Sequence, residues 1–139
     1  MRIVLDTNVL VSGLLSPFGP PGVVVRMLVG GALQPVLDAR ILVEYREVCA
    51  RPRFGFDPGQ ISVLLDHLER AALVVAPALL ANTLPDPDDA PFLEAALAAA
   101  APLVTGNLTH FPAALRQGAE VMSPAEFVER FRDQGGRDQ

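Results

Sequence analysis

The feature that most constrains this fold is a series of short, mainly apolar runs separated by helix-length segments. Ile3-Val4-Leu5, Leu33 to Leu37, Leu73 to Ala76 and Pro102-Leu103-Val104 are too short for helices. Runs of this kind, with few polar interruptions, suit strands buried on both faces of a parallel sheet. A late strand over Glu120-Val121-Met122 completes the set.

The intervening segments read as helices. Asn8 to Leu15 follows the first strand, with Asp6, Thr7 and Asn8 all able to cap it. Ser16 to Gly22 reads as a Pro/Gly loop, and Val23 to Val29 as a helix stopped by Gly30-Gly31. Asp38 caps a helix to about Ala50, with Leu42, Tyr45 and Cys49 on its buried stripe. Asp57-Pro58 opens the next, where Ile61, Leu64, Leu65 and Leu68 keep a helical period. Phe92, Leu93, Ala96, Leu97 and Ala100 mark another. Ser123-Pro124-Ala125-Glu126 is a helix start with a serine cap and a glutamate three residues on; that helix is expected to run to about Arg132. Strand and helix alternate, so an α/β chain with a parallel sheet covered on both faces is expected. The 139 residues allow one domain, expected over residues 1–132, with 133–139 a frayed tail.

Polar groups gather where these strands end. Asp6 and Asn8 follow the first, Thr105 and Asn107 the fourth, and Asp86, Asp88 and Asp89 crowd a proline-rigid turn before the Ala-rich helix. In open α/β sheets, ligands bind beyond the carboxyl ends of the strands. One Asp would suffice to cap the helix after that turn; three repel one another and call for a positive partner. Glu44 can join them from its own helix. A carboxylate cluster with no cysteine or histidine in it offers hard oxygen ligands, suited to Mg²⁺ or Mn²⁺ rather than zinc. Such an ion commonly activates water and clamps a phosphate oxygen.

The totals narrow the alternatives. Net charge is −5, which argues against a broad basic face for nucleic acid. Cys49, the only cysteine, excludes an internal disulfide or a cysteine zinc site, and reads as a small apolar helix residue. With no leader and no run long enough to span a bilayer, a soluble cytoplasmic protein without a membrane partner is expected.

Taken in order, Leu5-Asp6-Thr7-Asn8-Val9-Leu10, Glu44-Tyr45-Arg46-Glu47-Val48 with Arg51-Pro52-Arg53-Phe54, Asp86-Pro87-Asp88-Asp89 with Phe92-Leu93-Glu94-Ala95-Ala96, and Leu103-Val104-Thr105-Gly106-Asn107 resemble a PIN-domain protein. The resemblance is to the PIN toxins of bacterial type II toxin–antitoxin systems, the VapC-like group, and covers nearly the whole chain. It implies a three-layer α/β/α fold with a central parallel sheet of four or five strands. It implies a Mg²⁺- or Mn²⁺-dependent endoribonuclease acting on RNA, neutralised by a cognate antitoxin and commonly paired as a homodimer. Asp6, Glu44 and Asp89 would be the catalytic acids. Asp6, Asp89, Asp86 and Asn107 would surround the metal, with Asp86 able to stand in for Asp89. Asn8 and Thr105 would orient the carboxylates from behind.

One departure stands out. The family often carries a fourth Asp where this chain has Asn107, and one charge fewer favours one metal over two, or a second metal recruited only with RNA. A PIN domain that binds RNA or protein without cutting is therefore the second reading. A phosphotransfer domain, the third, wants a second acid where Asn8 stands, or a late lysine in a chain that has none. On the substrate side Arg46, Arg51 and Arg53 are candidates for the RNA backbone. Phe54 and Phe56 suit core packing better than base stacking. His110 reads as a surface or cap histidine more simply than as a phosphate ligand, and His67 has no visible partner.

Overall fold

The computed structural model describes residues 1–137. Five strands form one sheet: β1 (Arg2–Leu5), β2 (Gln34–Leu37), β3 (Leu73–Val74), β4 (Leu103–Val104) and β5 (Val121–Met122). They lie in the order β3-β2-β1-β4-β5, and every neighbouring pair is parallel. Ile3 stands beside Pro35 on one side of β1, and Val4 and Leu5 stand beside Leu103 and Val104 on the other. Ile3, Val4, Leu103 and Val104 are fully buried, as strands covered on both faces require.

The connections explain the layers. Those from β1 to β2 and from β2 to β3 step one way across the sheet; those to β4 and β5 step the other. Right-handed crossovers then put the helices of the two halves on opposite faces. Helices α1 (Thr7–Leu15), α2 (Pro20–Val29), α3 (Ala39–Cys49) and α4 (Pro58–Ala71) belong to the first half, and α5 (Ala90–Ala99) to the second. α6 (Pro124–Arg137) returns to pack on α2. The architecture is the expected three-layer α/β/α fold, with five strands. The buried residues Ala95 and Ala96 let α5 lie close over β1 and β2.

Several helix starts follow from capping chemistry. Asp38 accepts from the Ile41 N–H at 3.1 Å, and Asp57 from the Gln60 N–H at 2.9 Å. Ser123 and Glu126 form a reciprocal capping box, at 3.1 and 3.3 Å. Two boundaries differ from expectation. α2 begins at Pro20, because prolines without a needed N–H fit a helix's first turn. α6 runs to Arg137, past the expected stop at Arg132; of the expected tail, residues 138 and 139 lie outside the described residues. α1 and α2 pack tightly, and a Cβ on Gly22 would fall 2.1 Å from the Pro17 carbonyl oxygen.

Two polar contacts, one buried and one partly solvated, fix the edge where the strands end. The Tyr45 hydroxyl donates to the Leu5 carbonyl at 2.5 Å, tying α3 to the tip of β1. Arg40 spans Asp38 and the buried Glu94, 2.7 Å from each, and the other Glu94 oxygen accepts from the Leu80 N–H at 2.8 Å. This network pins the irregular stretch after β3 to the sheet. No single helix among the described residues is long and apolar enough to cross a membrane.

Candidate metal centre

β1 is the topological switch point: the chain leaves it towards β2, while β4 pairs on its other side. A crevice is expected there. The two strand tips meet in it, where Thr105 Oγ1 donates to Asp6 Oδ2 at 2.8 Å. Asp6 occupies the N-cap position of α1, yet its side chain caps nothing.

The neighbours of Asp6 arrive from separate elements. α3 brings Glu44, which accepts a short hydrogen bond from Thr7 Oγ1. The turn Pro87–Asp89 brings Asp89 at the start of α5. Asn8 Oδ1 accepts from the Gly106 N–H at 3.1 Å, and Thr105 Oγ1 accepts from the Asn107 N–H at 3.0 Å. Asn8 and Thr105 thus lace the two strand tips together behind the acids.

The electrostatics are those of a crowded anionic site. Asp6 is 5 % exposed, and its pKa is raised from 3.8 to about 6. Burial is the largest cause; the Thr105 hydrogen bond opposes it, and repulsion from Asp89 and Glu44 adds to it. Asp89 is also raised, first by burial and then by Asp86, against the favourable effect of His110. Asp6, Glu44 and Asp89 are therefore close enough to repel. Asp86, Asp89 and His110 place ligand atoms within 4.8 Å of one another. No arginine among the described residues pairs with Asp6, Glu44 or Asp89.

Two candidates sit differently from expectation. Asn107 reaches the acids through His110 rather than with its own oxygen: its Nδ2 lies 2.9 Å from His110 Nε2, and its Oδ1 accepts from Thr109 at 3.0 Å. His110 Nδ1 in turn lies 2.9 Å from Asp89 Oδ2. His110 belongs to the cluster, which its place three residues after a polar strand tip could have signalled. Arg46 turns to α4 and pairs with Asp66 at 3.0 Å and Glu69 at 3.7 Å. Arg51 and Arg53 are exposed at the turn after α3, with Arg53 over the Phe54 ring and Phe54 stacked on Phe56 at 5.7 Å. Phe54 and Phe56 are half-buried against the core. His67, unassigned from sequence, has its Nε2 3.0 Å from the Val29 carbonyl. A groove of about 470 Å³ runs beside the acids, lined by Arg40, Val43, Glu44, Glu47, Leu79 and Asp88 among others.

The family profile of the PIN domain matches residues 2–109, a span that contains β1 to β4 and every acid of the cluster. The chain belongs to the PIN-domain family. This PIN domain is also similar to the uncharacterized protein MJ1680 of Methanocaldococcus jannaschii, at 25% identity over 94% of this chain and 92% of that protein. Among solved structures, its fold matches a chain of VapBC2 from Rickettsia felis, crystallised bound to a DNA fragment from its promoter. That match has a TM-score of 0.57 at 15% identity, over 88% of this chain and 98% of the other.

The donor set of this PIN domain fits a divalent ion. Asp86 and Asp89 offer oxygens and His110 a nitrogen within 4.8 Å of one another, and Asp6 lies close enough to Asp89 to feel its charge.

Proposed function

We propose that this PIN domain is a Mg²⁺- or Mn²⁺-dependent endoribonuclease, the toxin half of a toxin–antitoxin pair. One observation carries the reading: a buried carboxylate, Asp6, is repelled by two further carboxylates, and among the described residues no arginine pairs with them. A stable fold keeps such repulsion where a bound cation repays it. Asp6, Asp89 and Asp86 would hold the ion. When bound, it would supply a more acidic water and offset charge on the scissile phosphate.

The chain's own groups do the rest. Thr105 holds Asp6 Oδ2 and so fixes the carboxylate between the two strand tips. Thr7 holds one Glu44 oxygen, which leaves the other to orient the attacking water and take its proton. Water adds at phosphorus, one P–O bond breaks, and the departing oxygen is protonated. With net charge −5, RNA must be held locally; the exposed Arg51 and Arg53 are the nearest donors along the chain after α3. Arg46, already paired with α4, contributes less.

The Rickettsia felis protein that shares this fold is a VapBC2 assembly, which supports an antitoxin partner here. Val43 and Leu79, 53% and 83% exposed beside the acids, offer such a partner an apolar hold. A cytoplasmic homodimer completes the reading, and sedimentation of the pure chain tests the pairing. The second reading, a PIN domain that binds without cutting, is favoured by Asn107, which removes a charge from the cluster.

The deciding experiment is cleavage of total RNA by the pure protein with MgCl₂, MnCl₂ or EDTA, beside Asp6→Asn. Cutting is expected with metal, absent in EDTA, and reduced at least ~100-fold in Asp6→Asn. Metal-independent cutting, or cutting that Asp6→Asn retains, would sink the reading. RNA binding without cutting in any condition would move the assignment to the binding module.

A further inference from the structure

The metal reading leaves unexplained why an amide stands at 107, where the family often places an acid, with an imidazole three residues on. Asn107 Nδ2 can only donate, so His110 Nε2 accepts from it, and the ring proton sits on Nδ1, facing Asp89. Asn107 Oδ1 is held by the Thr109 hydroxyl. Rotation of the Asn107 amide reverses this chain of bonds. Oδ1 then accepts from Nε2–H, Nδ2 donates to Thr109, and the Nδ1 lone pair is left facing Asp86 and Asp89. A hydroxyl serves either arrangement, because it both donates and accepts. An aspartate at 107 could accept from the ring but never donate to it, so only the amide supports both tautomers.

The second arrangement is that of a metal-bound histidine. Its distal N–H is fixed by a neighbouring oxygen, the partner that orients ligating imidazoles. His110 Nδ1 lies 2.9 Å from Asp89 Oδ2, and Asp86 completes a set of ligand atoms within 4.8 Å. Adjacent ligands around a small divalent ion, with bonds of ~2.1 Å, are spaced by about 3 Å.

We propose that His110 is a metal ligand of this PIN domain, oriented by the Asn107 amide, and that it makes the centre prefer Mn²⁺ to Mg²⁺. The preference follows from ligand softness: imidazole suits transition ions, while Mg²⁺ keeps to oxygens and water. The inference rests on the metal-dependent reading above and sharpens it to one class of ion.

The test is electron spin-echo spectroscopy of the full chain loaded with MnCl₂, with MgCl₂ competition for affinity. Wild type should show ¹⁴N coupling of a bound imidazole. The coupling should vanish in His110→Ala and persist in His67→Gln, which removes the chain's only other histidine. His110→Ala should weaken Mn²⁺ binding at least ~10-fold and Mg²⁺ binding less than ~3-fold. Asn107→Ala should keep the coupling but lose roughly 10-fold in Mn²⁺ affinity. Bound Mn²⁺ without nitrogen coupling in the wild type overturns the inference and leaves the nuclease reading standing. No Mn²⁺ binding at all overturns both. The wild-type spectrum decides even where a variant fails to fold.

Discussion

Asp6 sets the terms at the scale of single residues. Its carboxyl is raised from 3.8 to about 6, chiefly by burial. A carboxyl raised in the folded state binds protons more tightly there than in the unfolded chain. Below about pH 4 both states hold the proton and nothing is lost. As pH rises from about 4 to about 6 the unfolded chain releases its proton first, so stability falls. Above about 6 the whole penalty, about 3 kcal/mol for a shift of this size, is in place. Denaturant midpoints of metal-free protein between pH 4 and 7 should show this decline beside the usual carboxylate effects. Asp6→Asn should flatten it, and an unchanged pH profile in that variant would show that Asp6 is not the group responsible. Asp6 and Thr105 were legible in the sequence because each follows a short apolar run. The part played by His110 was only half legible: its place three residues after Asn107 is a local signal, but its contact with Asp89 joins segments 21 residues apart in the chain.

Elements were readable where chemistry is local. Asp38, Asp57 and Ser123 each cap a helix through their own side chains, as their types and spacing suggest. Asp6 follows the same pattern by position but not by contact, because its partner Thr105 lies across the sheet. The start of α2 was hidden by Ser16 to Gly22, whose prolines read as loop although Pro20 and Pro21 fit a first turn. The role of Glu94 was hidden too. It sits in the apolar face of α5, 3% exposed, where it holds Arg40 and the Leu80 N–H. Arg40 is partly solvated, which tempers the penalty of losing its partner. Glu94→Ala should therefore cost about 2 kcal/mol in chemical denaturation, with Glu94→Gln costing less because it keeps an acceptor for Leu80. Hydrogen exchange should rise first around Leu79 and Leu80. Equal losses for both variants would show that packing, not this network, is what Glu94 supplies.

For the whole molecule, the sheet order places the acids. With β1 between β2 and β4, residues nearly a hundred positions apart meet at one crevice, as Asp6 and Thr105 do. Strand and helix alternation foretold parallel strands, and so a common edge. It could not give the order of strands, which follows from long-range pairing. That pairing brings together Asp6 and Asp89, whose carboxyls burial and neighbouring acids both raise.

Thermal melting of metal-free and MnCl₂-loaded protein, wild type beside Asp6→Asn, tests this most directly and needs no knowledge of the RNA target. Saturating Mn²⁺ should raise the wild-type melting temperature by roughly 5–10 °C. Without metal, Asp6→Asn should melt above wild type, since it removes a buried charge, and it should lose most of the Mn²⁺ response. An Asp6→Asn protein that melts lower than wild type and responds to Mn²⁺ equally would show that Asp6 is a structural link between two strand tips and not part of a metal centre.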